Sequence, residues 1–226
     1  EIKVPAFFKL MKEMTHYYAF KNEGQCVFSD GNNIQVSTVQ WDVKNGERFG
    51  ITFVDKDGMK KNIPFIIHAS SFGSIERSIA SLLENAEWMK VEGMQPMLPI
   101  WLSPEQVRII PLNPQTHLSR AIDVAKELES NQIRVGVDDR DMSLSKRVME
   151  AKRNWIPYII VVGETEMKSN DLPVTVRLDS KLDEDRRKKM KVEQLIEEIR
   201  RETEGMPLRR SYLPRLLSMR PTFVGS

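Results

Sequence analysis

A single cysteine, Cys26, and three histidines, His16, His68 and His117, are the only thiol and imidazole groups in these 226 residues. They exclude a disulfide framework and a four-cysteine zinc site within the chain. The histidines stand far apart and show no His-Glu-x-x-His spacing. No apolar run reaches the ~18 residues of a transmembrane helix. No Gly-x-x-x-x-Gly-Lys phosphate loop occurs. A surplus of one charge is also missing, since 34 Lys+Arg against 32 Asp+Glu leaves only +2, so no global field announces a polyanion partner. No initiator Met opens the chain, as expected of a processed or cut-out polypeptide. No basic–apolar–small pattern follows, so a signal peptide is not expected and a cytoplasmic location is. No internal repeat is visible.

What is present supports a packed core: 40% of residues are hydrophobic and 29% charged. The length allows one large or two modest domains. Charge divides unevenly. Residues 1–95 carry 11 basic and 12 acidic side chains, and residues 96–226 carry 23 and 20. The segment Gly205–Ser226 holds Arg209, Arg210, Arg215 and Arg220 without an acid. It reads as a basic extension, either contacting RNA or forming a solvated, frayed tail.

The first ~68 residues read as strands at Cys26–Phe28, Ile34–Val39, Phe49–Val54 and Ile63–His68, separated by Asp30-Gly31, Asn45-Gly46 and Asp57-Gly58. Such dipeptides between β-rich runs are hairpin signals and predict an antiparallel sheet. From Ser74 to Met89 the period becomes helical, with Ile75, Ile79, Leu82 and Leu83 on one face and Ser74 as N-cap. Gly93–Pro99 is the best domain boundary. Beyond it, strands at Gln106–Leu112, Ile133–Val137, Tyr158–Val162 and Val174–Leu178 alternate with helices at Leu118–Leu128, Ser143–Trp155 and Val192–Glu204. That order predicts a mainly parallel sheet covered by helices, with the last strand antiparallel. Lys181–Lys191 reads as a solvated linker and first helical turn. On spacing alone, His68 is as well explained as a half-buried imidazole, and Arg77 as half of an ordinary salt bridge.

One string goes further. HASSFGSIERSIASLLE at residues 68–84 resembles motif 3 of the class II aminoacyl-tRNA synthetases, with Gly73-Ser74-Ile75-Glu76-Arg77 at its core. Ser37-Thr38-Val39-Gln40-Trp41-Asp42, then Glu47-Arg48-Phe49 and the His68 strand, resemble the threonyl-tRNA synthetase family in particular. So do Leu98–Val107, like the entry to that family's anticodon-binding domain, and Ile156–Gly163, like its third strand. The ending Met219-Arg220-Pro221 resembles the archaeal branch. The implied fold is the antiparallel sheet portion of a class II catalytic core over 1–95 (α+β), a mixed, mainly parallel α/β anticodon-binding domain over 96–204, and a basic extension over 205–226.

The resemblance implies ATP-dependent attachment of threonine to tRNA-Thr through threonyl-adenylate. Arg77 matches an arginine that stacks on adenine and contacts the triphosphate, work suited to a planar, permanently charged guanidinium. His68 matches a ligand of the zinc that binds threonine. Thr38, Gln40, Gln35 and Ser74 match positions around threonine and the adenylate. Tyr18 falls on an amino-acid-pocket tyrosine, with Lys21 and Glu23 as its neighbours. Glu166 and Arg177 match base-contacting residues of the anticodon domain, Asp141 stands where the family often has Asn, and Arg140 and Lys152 are candidates for backbone contact. Implied cofactors and partners are zinc, Mg-ATP, threonine and tRNA-Thr, with a homodimer as the full-length enzyme and no membrane. Motifs 1 and 2, an upstream zinc cysteine and a second histidine are not found, so the isolated chain is expected to be inactive. Alternatives are a non-catalytic tRNA-binding module, or a prolyl, glycyl or histidyl sibling.

Overall fold

A computed structural model describes residues 6–221; the last residues of the basic extension, 222–226, lie outside the described residues. The chain forms two compact units, Glu1–Glu84 and Asn85–Ser226, so the division falls within a helix rather than at Gly93–Pro99. Residues after Glu84 join the second unit: Met89 packs against its core, and the Gln95 N–H donates to the Ser180 carbonyl at 3.1 Å.

The first unit is built on β1 (Tyr18–Val27), β2 (Asn33–Asp42) and β5 (Ile66–Ser70), antiparallel in the order β1-β2-β5. A short helix α1 (Asn45–Arg48) and the small hairpin β3 (Thr52–Val54) and β4 (Lys60–Asn62) are inserted between β2 and β5. Asp30 makes the β1–β2 turn, accepting the Asn32 N–H at 2.9 Å, while Gly31 takes φ +86°, a backbone that L side chains resist. The first strand begins well before the expected Cys26, because Lys21–Gln25 is polar on both faces and hides its period. The expected Phe49–Val54 strand starts only at Thr52, since Phe49 ends α1. The helix expected from Ser74 is α2 (Ile75–Val91), and the Ser74 hydroxyl accepts the Arg77 N–H at 3.3 Å.

The second unit carries a five-stranded sheet ordered β10-β9-β8-β6-β7, from β6 (Val107–Pro111), β7 (Val135–Val137), β8 (Tyr158–Val162), β9 (Asp171–Val176) and β10 (Arg187–Lys191). The pairs β6–β7 and β6–β8 are parallel; β8–β9 and β9–β10 are antiparallel. The sheet is therefore mixed, and less parallel than the sequence suggests. Helices α3 (Pro114–Ser130) and α6 (Val192–Glu202) pack on one face over Val107, Ile109, Tyr158, Ile160 and Val174. Helix α4 (Leu144–Arg153) covers Ile110 and Ile159 on the other. Caps fix the helix starts: Asn113 accepts the Gln115 N–H, with Pro114 first in α3, and Ser143 accepts the Lys146 N–H.

Three expectations change here. Arg187–Lys191 is not linker but the edge strand β10, in which only Met190 is buried, opposite Leu172. Its charges hid it, and lysines on an edge strand discourage further pairing. Glu164–Lys168 forms a short helix, α5, between β8 and β9. The described part of the extension is not frayed. The Val137 N–H donates to the Arg215 carbonyl at 2.8 Å, a parallel bridge joins Val137 to Leu216, and Leu217 is buried. This segment covers the open edge of β7. Among the described residues no helix is long and apolar enough to cross a membrane.

Candidate functional site

In the first unit, antiparallel register sorts the candidate residues. Lys21 pairs with Gln40 and Gln40 with His68; Glu23 pairs with Thr38 and Thr38 with Ser70. Directly opposed residues share a face, so Lys21, Glu23, Thr38, Gln40, His68 and Ser70 line one surface of the sheet. Lys21 forms an ion pair with Glu23 and stands over the Tyr18 ring at 5.4 Å. Gln40 donates to the Thr38 hydroxyl at 3.4 Å and accepts from the Tyr17 hydroxyl at 2.7 Å. Tyr17, not Tyr18, meets His68, edge to face at 5.6 Å, and Tyr18 stacks on His16.

Asp42 is the residue that sequence reasoning passed over. Its carboxylate is buried and lies 2.8 Å from His68 Nε2. A carboxylate only accepts, so Nε2 carries the hydrogen and Nδ1 remains to accept or to ligate. Burial pushes the Asp42 carboxyl up, but hydrogen bonds from the Asn45 and Lys44 N–H groups, His68 and the Asn45 amide outweigh it and hold it well below the usual carboxylate range. A carboxylate behind a histidine is the usual outer support of a metal ligand. The visible signal was Asp42 directly after the alternating run ending at Trp41. The donor set stops there: among the described residues no three His, Cys, Asp or Glu gather to hold a metal ion. Cys26 pairs with Ile34, toward the opposite end of β2. The zinc that the resemblance implies thus finds one fitting ligand, His68, among the described residues.

Arg77 is exposed, and its Nη1 donates to the Gln35 carbonyl at 3.3 Å, so Gln35 contributes backbone rather than side chain. Gly73, at φ +67°, permits this approach; a Cβ there would lie 2.9 Å from the Val36 carbonyl oxygen. His68 and Arg77 do not meet. They are tied to β2 at Gln40 and Gln35, roughly 16 Å apart along the strand at ~3.3 Å per residue.

In the second unit, β6, β7 and β8 all point their carboxyl ends the same way, the end at which open α/β sheets usually bind ligands. Glu166, Arg140 and Asp141 follow those ends. Glu166 accepts the Gly163 N–H on Oε2 at 2.9 Å, capping α5. Asp141 is exposed. Arg140 is committed to carboxylates, two bonds to Asp138 at 2.8 and 2.7 Å and one contact to Glu150 at 2.8 Å, which raise its pKa further above the arginine range. That arrangement is the local ion pair, and it leaves little of the fork for RNA. Arg147, fully buried, donates to the carbonyls of Pro111, Asp138 and Leu112 and so ties the ends of β6 and β7 together.

Arg177 lies elsewhere. Its backbone N–H donates to Pro157, at the amino end of β8, so it and Glu166 sit at opposite ends of that strand. Only 7% exposed, it donates to the carbonyls of Pro96 at 2.7 Å and Lys152 at 3.0 Å, and burial pushes its pKa down to about 10. Lys152 pairs with Asp185 at 2.5 Å, and both line an open cavity of about 300 Å³ with Arg177. The structure does not bring Arg177 and Glu166 to one base.

Comparison with known proteins places this geometry. Residues 106–202 match the anticodon binding domain family. The chain is 43% identical over 221 residues to the threonine–tRNA ligase of Pyrococcus furiosus, covering 98% of this chain and 34% of that protein. It is 41% identical over 223 residues to the enzyme of Methanosarcina mazei, again covering 34% of it. The chain therefore spans about a third of the length of these curated relatives. The crystal structure of the RNA binding domain of threonyl-tRNA synthetase from Cryptosporidium parvum is similar over 85% of this chain and 44% of that one, with TM-score 0.63 and 26% identity. Prolyl-tRNA synthetase from the same organism, at 20% identity and TM-score 0.67 over 84% of this chain and 38% of that one, shares the fold. Residues 106–202 thus match an anticodon binding domain, and nearly the whole chain is similar to about a third of the threonine–tRNA ligases.

Proposed function

We propose that this chain recognises the anticodon of tRNA-Thr through residues 96–204. Within a longer threonine–tRNA ligase, it also contributes the Thr38–Gln40–His68 face and Arg77 to the site that joins threonine to the AMP moiety of ATP, releasing pyrophosphate, and then passes it to tRNA with release of AMP. The observation that carries the reading is an alignment, above 40% identical overall, that spans both units rather than the anticodon domain alone. A pure RNA-binding module has no use for a polar sheet face in which a buried carboxylate orients an exposed histidine. Zinc, when bound, supplies a Lewis acid for the amino group and hydroxyl of threonine, and His68 Nδ1 is the atom this chain offers it. Arg77 suits the nucleotide. Demanding a hydroxyl rejects valine by on the order of 10⁴–10⁵, but serine differs by one methyl group, worth ~1–3 kcal/mol.

The test is binding of the chain to a tRNA-Thr transcript and to one with its anticodon replaced. The threonine anticodon should be preferred, and affinity should fall steeply with salt as phosphate contacts release counterions. Glu166→Gln should narrow that preference. Arg177→Ala is a poor probe, because it removes a clamp on two backbone carbonyls. Equal affinity for both transcripts defeats the proposal.

A further inference from the structure

His117 is buried, its side chain 4% exposed, yet its partner Glu164 is 81% exposed, with Glu164 Oε1 2.9 Å from His117 Nε2. The tautomer is fixed from the other side. His117 Nδ1 accepts the Asn113 backbone N–H at 3.0 Å, so Nδ1 is unprotonated and Nε2–H donates to Glu164. A buried neutral imidazole is therefore dedicated to aiming a surface carboxylate. One turn along α3, Arg120 fixes the backbone that carries it: Nε donates to the Glu166 carbonyl at 3.1 Å and Nη2 to the Ser169 carbonyl at 3.2 Å. A largely exposed polar contact adds little stability, so the arrangement orders a group more than it holds the fold. Glu166 already uses Oε2 to cap α5, whereas Glu164 Oε2 has no partner among the described residues.

We infer that Glu164 is a second base-reading residue of the anticodon site, with His117 as its positioning residue. A carboxylate only accepts hydrogen bonds. It therefore fits an unstacked tRNA base that offers N–H groups on its Watson–Crick edge, such as the N1–H and N2–H of guanine, and rejects an edge that offers acceptors there. This rests on the anticodon reading above and names a residue that reading does not contain.

The experiment uses the whole chain, tRNA-Thr transcript and the anticodon-replaced transcript, with Glu164→Ala, His117→Gln and the double variant. Charge alone gives the opposite sign to the inference, because deleting a negative group from an RNA-binding surface tightens binding. Glu164→Ala should instead weaken the cognate complex by about tenfold, the scale of one good base contact. It should leave the replaced transcript unaffected or bound more tightly. His117→Gln should lose part of that preference, and none further once Glu164 is already Ala. Glu164 is exposed, so its variant should melt like the parent even where His117→Gln does not fold. Unchanged or tighter cognate binding by Glu164→Ala overturns the inference. A parent chain with no anticodon preference overturns the anticodon reading itself, and this inference with it.

Discussion

Of three buried carboxylates, Asp42, Glu105 and Asp138, the first two organise the molecule at the residue scale, and each supports an arginine or histidine that the sequence offers without its partner. Asp42 receives hydrogen bonds from Lys44, Asn45 and His68, and stays ionised in acid that would protonate an ordinary aspartate. A depressed native pKa adds stability above the unfolded value near ~3.9, lost as pH falls through the native one. Carboxyl carbon shifts of Asp42 should therefore move only well below pH 4; a midpoint near 4 would show that the cluster does not form. Asp42→Asn should leave the sheet paired but free the His68 ring, read as loss of its fixed tautomer in nitrogen NMR. Glu105 is the second. It pairs with Arg108 and, at 2.5 Å, with Arg220, while a Cβ on Gly136 would lie 2.5 Å from its carboxylate. Gly136→Ala must displace a buried ion pair. We expect a loss of about 1–3 kcal/mol, the usual cost of overpacking, measured by urea unfolding.

Among the elements, the segment after α6 is the informative case. It follows the edge of β7, tied by Arg215 to Glu129 and by Ser218 to Asp139 at 2.9 and 2.5 Å. Two of its four arginines are thus paired with acids, which removes them from any RNA-binding arm. Truncation after Glu204 should expose the β7 edge and the Leu217 site. The expected result is a lower melting temperature and concentration-dependent association, since an uncovered edge recruits other strands. A truncated chain that stays monomeric with an unchanged melting temperature would contradict the strap. Periodicity made β6, β8, α2, α3, α4 and α6 legible, because each has one apolar face or a wholly apolar run. It missed β10, where a single buried Met190 gives no period, and α5, too short to show one.

For the whole molecule, apolar burial is lopsided. Every buried hydrophobic residue among those described lies at or after Ala86, while Trp41, Phe65, Ile67, Ile75 and Ile79 of the first unit are each more than a third exposed. Three strands need a covered apolar face for stability of their own. Amides of β1, β2 and β5 should therefore exchange with solvent orders of magnitude faster than those of β6 and β8 in the isolated chain; equal protection would refute this. With one candidate zinc ligand among the described residues and a third of the relatives' length, the 226-residue chain alone should also show no ATP–pyrophosphate exchange.

The order of most strands and helices, the motif 3 string and the anticodon-domain resemblance were in the sequence, because local period, caps and turn residues are short-range physics. Which polar groups work together was not. Register alone set His68 beside Gln40 and Asp42, and chain direction alone put Arg177 at the far end of β8 from Glu166. Folding turned Arg140 and Arg177 inward onto carboxylates and carbonyls, and turned Glu164 outward on a buried histidine. Linear spacing does not say which partner a charge will find once water is removed; only packing brings residues dozens of positions apart within hydrogen-bond reach.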